Sequence, residues 1–191
     1  MIKWALRRAI AKFERQWNYD ASYMRDIIDA SPRAAWLFSR VTVLGQFRRD
    51  LPIEVWSAAG ITAVRQEDCG PCTQLGITMA ERAGVSPAVL RAVLAENPDA
   101  MPPDVALVWK FTRATLAHDA VADEYRDEIV KRWGRRALVS LAFAITAARI
   151  YPTVKYALGH GKACMRVVVG DTPVIFDHGR VPAADVAVRT P

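Results

Sequence analysis

The chain has 191 residues, 52% of them hydrophobic and 24% charged, with a formal net charge of +6 and a pI near 9.5. That apolar share supports a buried core and excludes a disordered chain, and the length fits one domain with attachments. Three cysteines are too few to staple a secreted scaffold, and no zinc-ligand set, glycine-rich loop or basic run with interleaved aromatics is present, so neither a cofactor nor a nucleic-acid partner is expected.

Residues 2–17 read as a basic amphipathic helix, with Ile2, Leu6, Ile10, Phe13 and Trp17 at helical spacing and Lys3, Arg7, Lys12 and Arg15 between them. Such a helix packs on its own domain or a partner subunit, or rests on a membrane surface; packing is the expectation here. Arg7, Arg8 and Lys12 also interrupt the apolar stretch that a signal peptide needs. Asp20 or Ser22 starts a short helix ending near Ala30. Ser31-Pro32 opens the next, with proline at the first helical position, and Ala35, Phe38, Val41 and Leu44 mark its inward face. Asp50-Leu51-Pro52 is a break, followed by a helix from Ile53 to about Arg65.

A further helix is expected from Cys69 to about Ala83, stopped by Gly84. Ser86 and Pro87 supply the N-cap and first position of its successor, which ends before Asn97-Pro98. Pro102-Pro103-Asp104 begins a helix that carries Val105, Val108, Phe111 and Thr115 on one face and lasts to about His118. Helices from Val121 to Trp133 and from Arg135 to about Leu158 follow, with a kink expected at Pro152. The longest apolar run, Ala137 to Ala148, is too short to span a bilayer. Beyond Gly161, valine-rich Met165 to Val169, the turn signal Gly170-Asp171 and Val174 to Phe176 read as a short hairpin.

Helix follows helix without alternating strands, which predicts an all-α fold, a compact helical bundle. The expected organisation is an N-terminal helical extension over residues 1–50 packed on the core, a helical domain over 51–160, and a hairpin or irregular tail over 161–191. A soluble, cytoplasmic protein is expected.

The chemistry concentrates in Glu67-Asp68-Cys69-Gly70-Pro71-Cys72. With Asp68 as N-cap, both sulfurs fall in the first helical turn. There the unpaired N–H groups and the positive end of the macrodipole favour thiolate over thiol. Pro71 is tolerated because its missing N–H has no carbonyl to lose. Cys-Gly-Pro-Cys is also the redox sequence of thioredoxins, but there it follows a strand, and here Val55 to Gln66 reads as helix. Cys164 reads as a small buried hydrophobe. His160 and His178 are expected at the surface, and no histidine has metal-binding spacing to the cysteines. Trp56 is a candidate for lining a pocket.

The stretch from Glu67 to Leu94 resembles the alkyl hydroperoxidase D-like and carboxymuconolactone decarboxylase superfamily. That family opens a helix with C-x-x-C inside an all-helical domain and continues through an Ala-Gly-[Leu/Val]-Ser connection, here Ala83-Gly84-Val85-Ser86. The resemblance covers roughly residues 51–158. It implies a peroxide- or disulfide-reducing oxidoreductase acting through Cys69 and Cys72, recharged by an external dithiol or redox-protein donor, in a homo-oligomer. The family couples its cysteines to a glutamate and a histidine, and those positions hold Ser57 and Gly76 here. Glu67, two residues before Cys69, and His118, placed to fill the space left at Gly76, are the candidate replacements. Two other readings stand beside this one. One is a decarboxylase-like lyase acting on a small anionic substrate; the other is a non-enzymatic helical module whose C-x-x-C is structural.

Overall fold

The computed structural model describes residues 2–161 and 166–175. The expectations for Cys164 and His178 lie outside the described residues. The fold is all-α: nine α-helices, one short 3₁₀ turn and one two-stranded ribbon among the described residues.

The N-terminal segment forms α1 (Ile2–Trp17), α2 (Ser22–Ala30) and α3 (Pro32–Gly45). Ser31 caps α3 by accepting a hydrogen bond from the Ala34 N–H, with Pro32 at the first position. Neither α1 nor α3 carries a fully buried residue. This segment instead builds a small cluster of Tyr19, Ala21 and Tyr23, against which Phe13, Trp17, Phe38, Leu75 and Val154 pack.

The bundle proper comprises α4 (Ile53–Arg65), α5 (Gly70–Arg82), α6 (Pro87–Leu94), α7 (Pro103–Ala117), α8 (Ala122–Trp133) and α9 (Arg135–Ala157). Helix α4 is the axis, touching α5, α6, α7 and α9. Its sequence explains why: Ala58, Ala59, Thr62 and Ala63 are small and buried, so neighbours approach from several sides. Val55, Ile61, Ile77, Leu90, Val105, Ile129 and Leu141 fill the core around it, each 2% exposed or less.

Helix α5 ends as Gly84 predicts. With φ at 93°, Gly84 donates its N–H to Glu81 and lets the Val85 N–H reach Ala80, both at 3.0 Å. Ser86 then accepts from the Val89 N–H and starts α6. Helix α9 runs unbroken through Pro152 to Ala157. It is 23 residues long and, by length and composition, apolar enough to cross a membrane. The run Ala137 to Ala148 is by itself too short for this; the helix that contains it begins two residues before the run and ends nine residues beyond it. A core helix meets the same criteria, and α9 packs on α3, α4 and α8.

The C-terminal hairpin forms as β1 (Arg166–Val169) and β2 (Thr172–Ile175), antiparallel across Gly170-Asp171. It is more than an appendage. Val167 and Val169 are fully buried in the main core. The Gln74 side chain, on α5, pairs with the Val168 backbone in both directions, at 2.7 and 3.0 Å.

Candidate functional site

Cys69 and Cys72 are joined by a disulfide at the start of α5, with Cα atoms 5.3 Å apart. The expected cap is displaced by one residue. Asp68 takes a left-handed conformation, φ 51°, and belongs to the turn that leaves α4; Cys69 is the N-cap and Cys72 the third helical residue. An aspartate tolerates that conformation because its short polar side chain can bond locally, and the consequence is that the sulfurs, not a carboxylate, occupy the helix mouth. Thr73 fixes the first turn by donating both its N–H and its hydroxyl to the Cys69 carbonyl, at 2.9 and 3.0 Å.

Both cysteines are buried, Cys69 at 1% exposed and Cys72 at 7%, in an apolar nest with Val64 and Ala148. A polar group reaches it. The Tyr19 hydroxyl lies 3.6 Å from Cys72 Sγ. A disulfide sulfur carries no hydrogen, so the phenol is the donor. Burial pushes the Tyr19 phenol up to about 12, opposed by the Tyr23 hydroxyl and reinforced by the charge of Asp20 and by Tyr151. Burial also raises Tyr23, with Tyr19 adding to the effect. Both phenols therefore remain protonated donors at neutral pH.

Lys155 completes this corner. It is 2% exposed, and its Nζ stands 4.8 Å from the Tyr19 ring centroid and 5.8 Å from that of Tyr23. This is a cation–π arrangement on two rings. Just beyond the end of α9 at Ala157, Gly159 takes a φ of 77° and turns the chain back, and His160 reaches α2. His160, expected at the surface, is hydrogen-bonded at both nitrogens: Nδ1 to Ser22 Oγ at 3.1 Å and Nε2 to Asp26 Oδ2 at 2.6 Å. These bonds tie the end of α9, carrying Lys155, to the helix carrying Tyr23.

The remaining candidates fall elsewhere. Glu67 is half-buried and pairs with Arg149 of α9. Tyr156, also on α9, donates to the Asp68 carbonyl at 2.9 Å. The segment before the disulfide is thus clamped twice to one helix. His118 is an exposed, left-handed residue capping α7. It does not fill the space at Gly76, because that α-carbon faces Ile61 of α4, which a Cβ would meet at 3.7 Å. His118 instead borders an open groove of about 480 Å³ with Thr115, Thr146, Arg149 and Thr153. Trp56 packs in the main core rather than against the sulfurs, and Ser57 is buried within α4. Among the described residues, no three His, Cys, Asp or Glu side chains cluster to hold a metal ion.

Tyr19, Tyr23, Lys155 and Arg149 carried no motif. One signal was available: Arg149 and Lys155 are the two charged residues between Ala137 and Leu158, and a charge in so apolar a helix needs a partner. Compared with protein-family models, with curated proteins and with solved structures, the chain matches none.

Proposed function

We propose that this chain is a thiol–disulfide oxidoreductase resembling alkyl hydroperoxidase D, in which Cys69 and Cys72 cycle between dithiol and disulfide. The observation that carries the reading is the disulfide closed across the first turn of α5 with a tyrosine hydroxyl on one of its sulfurs. A bond between residues three apart constrains little chain, so its worth as a staple is small. Helix-mouth N–H groups favour a thiolate at the same place.

In the forward direction, a cysteine thiolate attacks a peroxide oxygen. The O–O bond breaks, the alcohol or water leaves, and a sulfenic acid forms. The second sulfur displaces hydroxide from it, closing the Cys69–Cys72 bond. An external dithiol then reduces the pair by exchange and leaves as its own disulfide. Because both cysteines are buried, the reading favours a small peroxide as oxidant over a bulky one. A homo-oligomer is supported by Trp36, Leu37 and Val43, which stand more than half exposed on α3.

The test is direct. The reduced protein is given hydrogen peroxide, the bonds are mapped by mass spectrometry, and a dithiol is then added. Closure and reopening of Cys69–Cys72 is expected; a pair that stays reduced under peroxide defeats the reading. The groove beside Arg149 and His118 supports the lyase alternative for a small anion. Cys69→Ser would abolish redox turnover but spare a lyase.

A further inference from the structure

We infer that Tyr19 is the catalytic hydrogen-bond donor to Cys72, so that stabilisation of the thiolate charge at the dithiol is supplied by the connection between α1 and α2 rather than by groups next to the cysteines. The inference rests on the redox reading above and goes further in naming the group that acts on the sulfur.

Three observations converge on it. The Tyr19 hydroxyl is buried and within hydrogen-bond reach of Cys72 Sγ, at 3.6 Å. Its ring is held from one side by Lys155, 4.8 Å from the centroid, and edge-on by Phe13, 6.0 Å away. Glu67 is engaged by Arg149, and His118 lies on a different groove. The charged and titratable groups around the contact are Asp20 beside Tyr19, Tyr23 on α2, Tyr151 and Lys155 on α9, and the Glu67–Arg149 pair near Cys69.

The chemistry balances as follows. A thiolate of an external dithiol attacks Cys69 Sγ; a donor–Cys69 bond forms and the Cys69–Cys72 bond breaks. The bonding pair stays on Cys72, where the Tyr19 O–H stabilises the new thiolate without giving up its proton. The donor's second thiolate attacks the donor sulfur of the mixed bond and releases Cys69 as thiolate, which takes a proton from water. Two electrons have passed to the protein, and the donor departs as a disulfide. A donor held on the sulfur lowers the energy of the thiolate both as leaving group and as nucleophile toward peroxide.

The experiment uses full-length protein with one cysteine at a time. In Cys69→Ser/Cys164→Ser, the remaining Cys72 is titrated by its thiolate absorbance, with and without Tyr19→Phe. In Cys72→Ser/Cys164→Ser, Cys69 is titrated the same way. Removal of the hydroxyl is expected to leave about tenfold less Cys72 thiolate at a pH below its midpoint, and to leave Cys69 unmoved. Tyr19→Phe with an unchanged Cys72 titration overturns the inference, as does an equal shift at Cys69, which would mark a general loosening. Should Tyr19→Phe not fold, Tyr19→fluorotyrosine keeps the ring and strengthens the donor; the Cys72 midpoint must then fall, and no change overturns the inference. Peroxide turnover of the unmodified protein is measured separately. If that protein never closes Cys69–Cys72, the redox reading fails whatever the titrations show; if it cycles and Tyr19→Phe leaves Cys72 unmoved, this inference alone fails.

Discussion

Arg149 closes an ion pair with Glu67 across 82 positions of sequence, fastening the middle of α9 to the turn that precedes the disulfide. Tyr156 repeats the attachment two turns on, at the Asp68 carbonyl. The guanidinium is 48% exposed and the carboxylate 19%, so solvent screens the pair and its contribution is about 1 kcal/mol or less. Glu67→Gln is expected to lower stability by no more than that in denaturant unfolding. If Glu67 serves only as an anchor, disulfide closure under peroxide stays within about threefold of the unmodified rate. A loss of about a hundredfold would make Glu67 the general base and remove it from the structural clamp.

Reduction should leave the protein folded. The bond joins residues three apart, and loop-closure entropy gives it roughly 2 kcal/mol at most. Circular dichroism melts of the oxidised and reduced forms are expected to be cooperative in both, with the reduced form lower by about 4–8 °C or less. Unfolding on reduction would identify the bond as a staple and favour a structural C-x-x-C.

Alkaline stability follows from the buried phenols. Tyr19 ionises at about 12 in the fold against 10.0 for a free phenol, chiefly through burial, and Tyr23 is raised for the same reason. Below pH 10 both states hold the protons and stability does not depend on them. From 10 upward the unfolded chain releases protons that the fold retains, so stability falls as pH rises toward and through the folded value. Denaturant midpoints are expected to drop between about pH 10 and 12, and Tyr23→Phe should flatten that fall. A midpoint constant over this window would contradict the burial of these hydroxyls.

The end of α5 offers a backbone test. Gly84 sits at φ 93°, and among the described residues no atom beyond its chain neighbours lies within 4 Å of where a Cβ would be. Gly84→Ala therefore meets no clash, and its whole cost is conformational, about 1–2 kcal/mol. A thermal midpoint lowered by roughly 2–8 °C is expected. An unchanged midpoint would mean the helix ends elsewhere.

Much of the fold was legible because it is punctuated. Ser31-Pro32, Ser86-Pro87, Gly84 and Gly134 each stop or start a helix for a local reason, and local reasons are written in adjacent residues. The cysteine pair was legible for the same reason. Its surroundings were not. Tyr19 meets Cys72 across 53 positions, and a single tyrosine in a short connection has no periodicity to betray its direction. The charge of Lys155 in an apolar helix calls for a partner, but nothing adjacent in sequence says that it faces the rings of Tyr19 and Tyr23. Asp68 misled because both an N-cap and a left-handed turn residue favour aspartate, and only the backbone decides between them. The segment read as an extension over residues 1–50 supplies the polar group at the disulfide, a relationship no local pattern encodes.

The decisive measurement is a redox titration of the native protein in defined thiol–disulfide buffers, with Cys69, Cys72 and Cys164 followed by alkylation and mass mapping. A functional pair equilibrates reversibly as Cys69–Cys72 without denaturant and without loss of helicity. A bond that forms or opens only after the protein is unfolded would show that the sulfurs are sealed in the core, and would contradict the redox role.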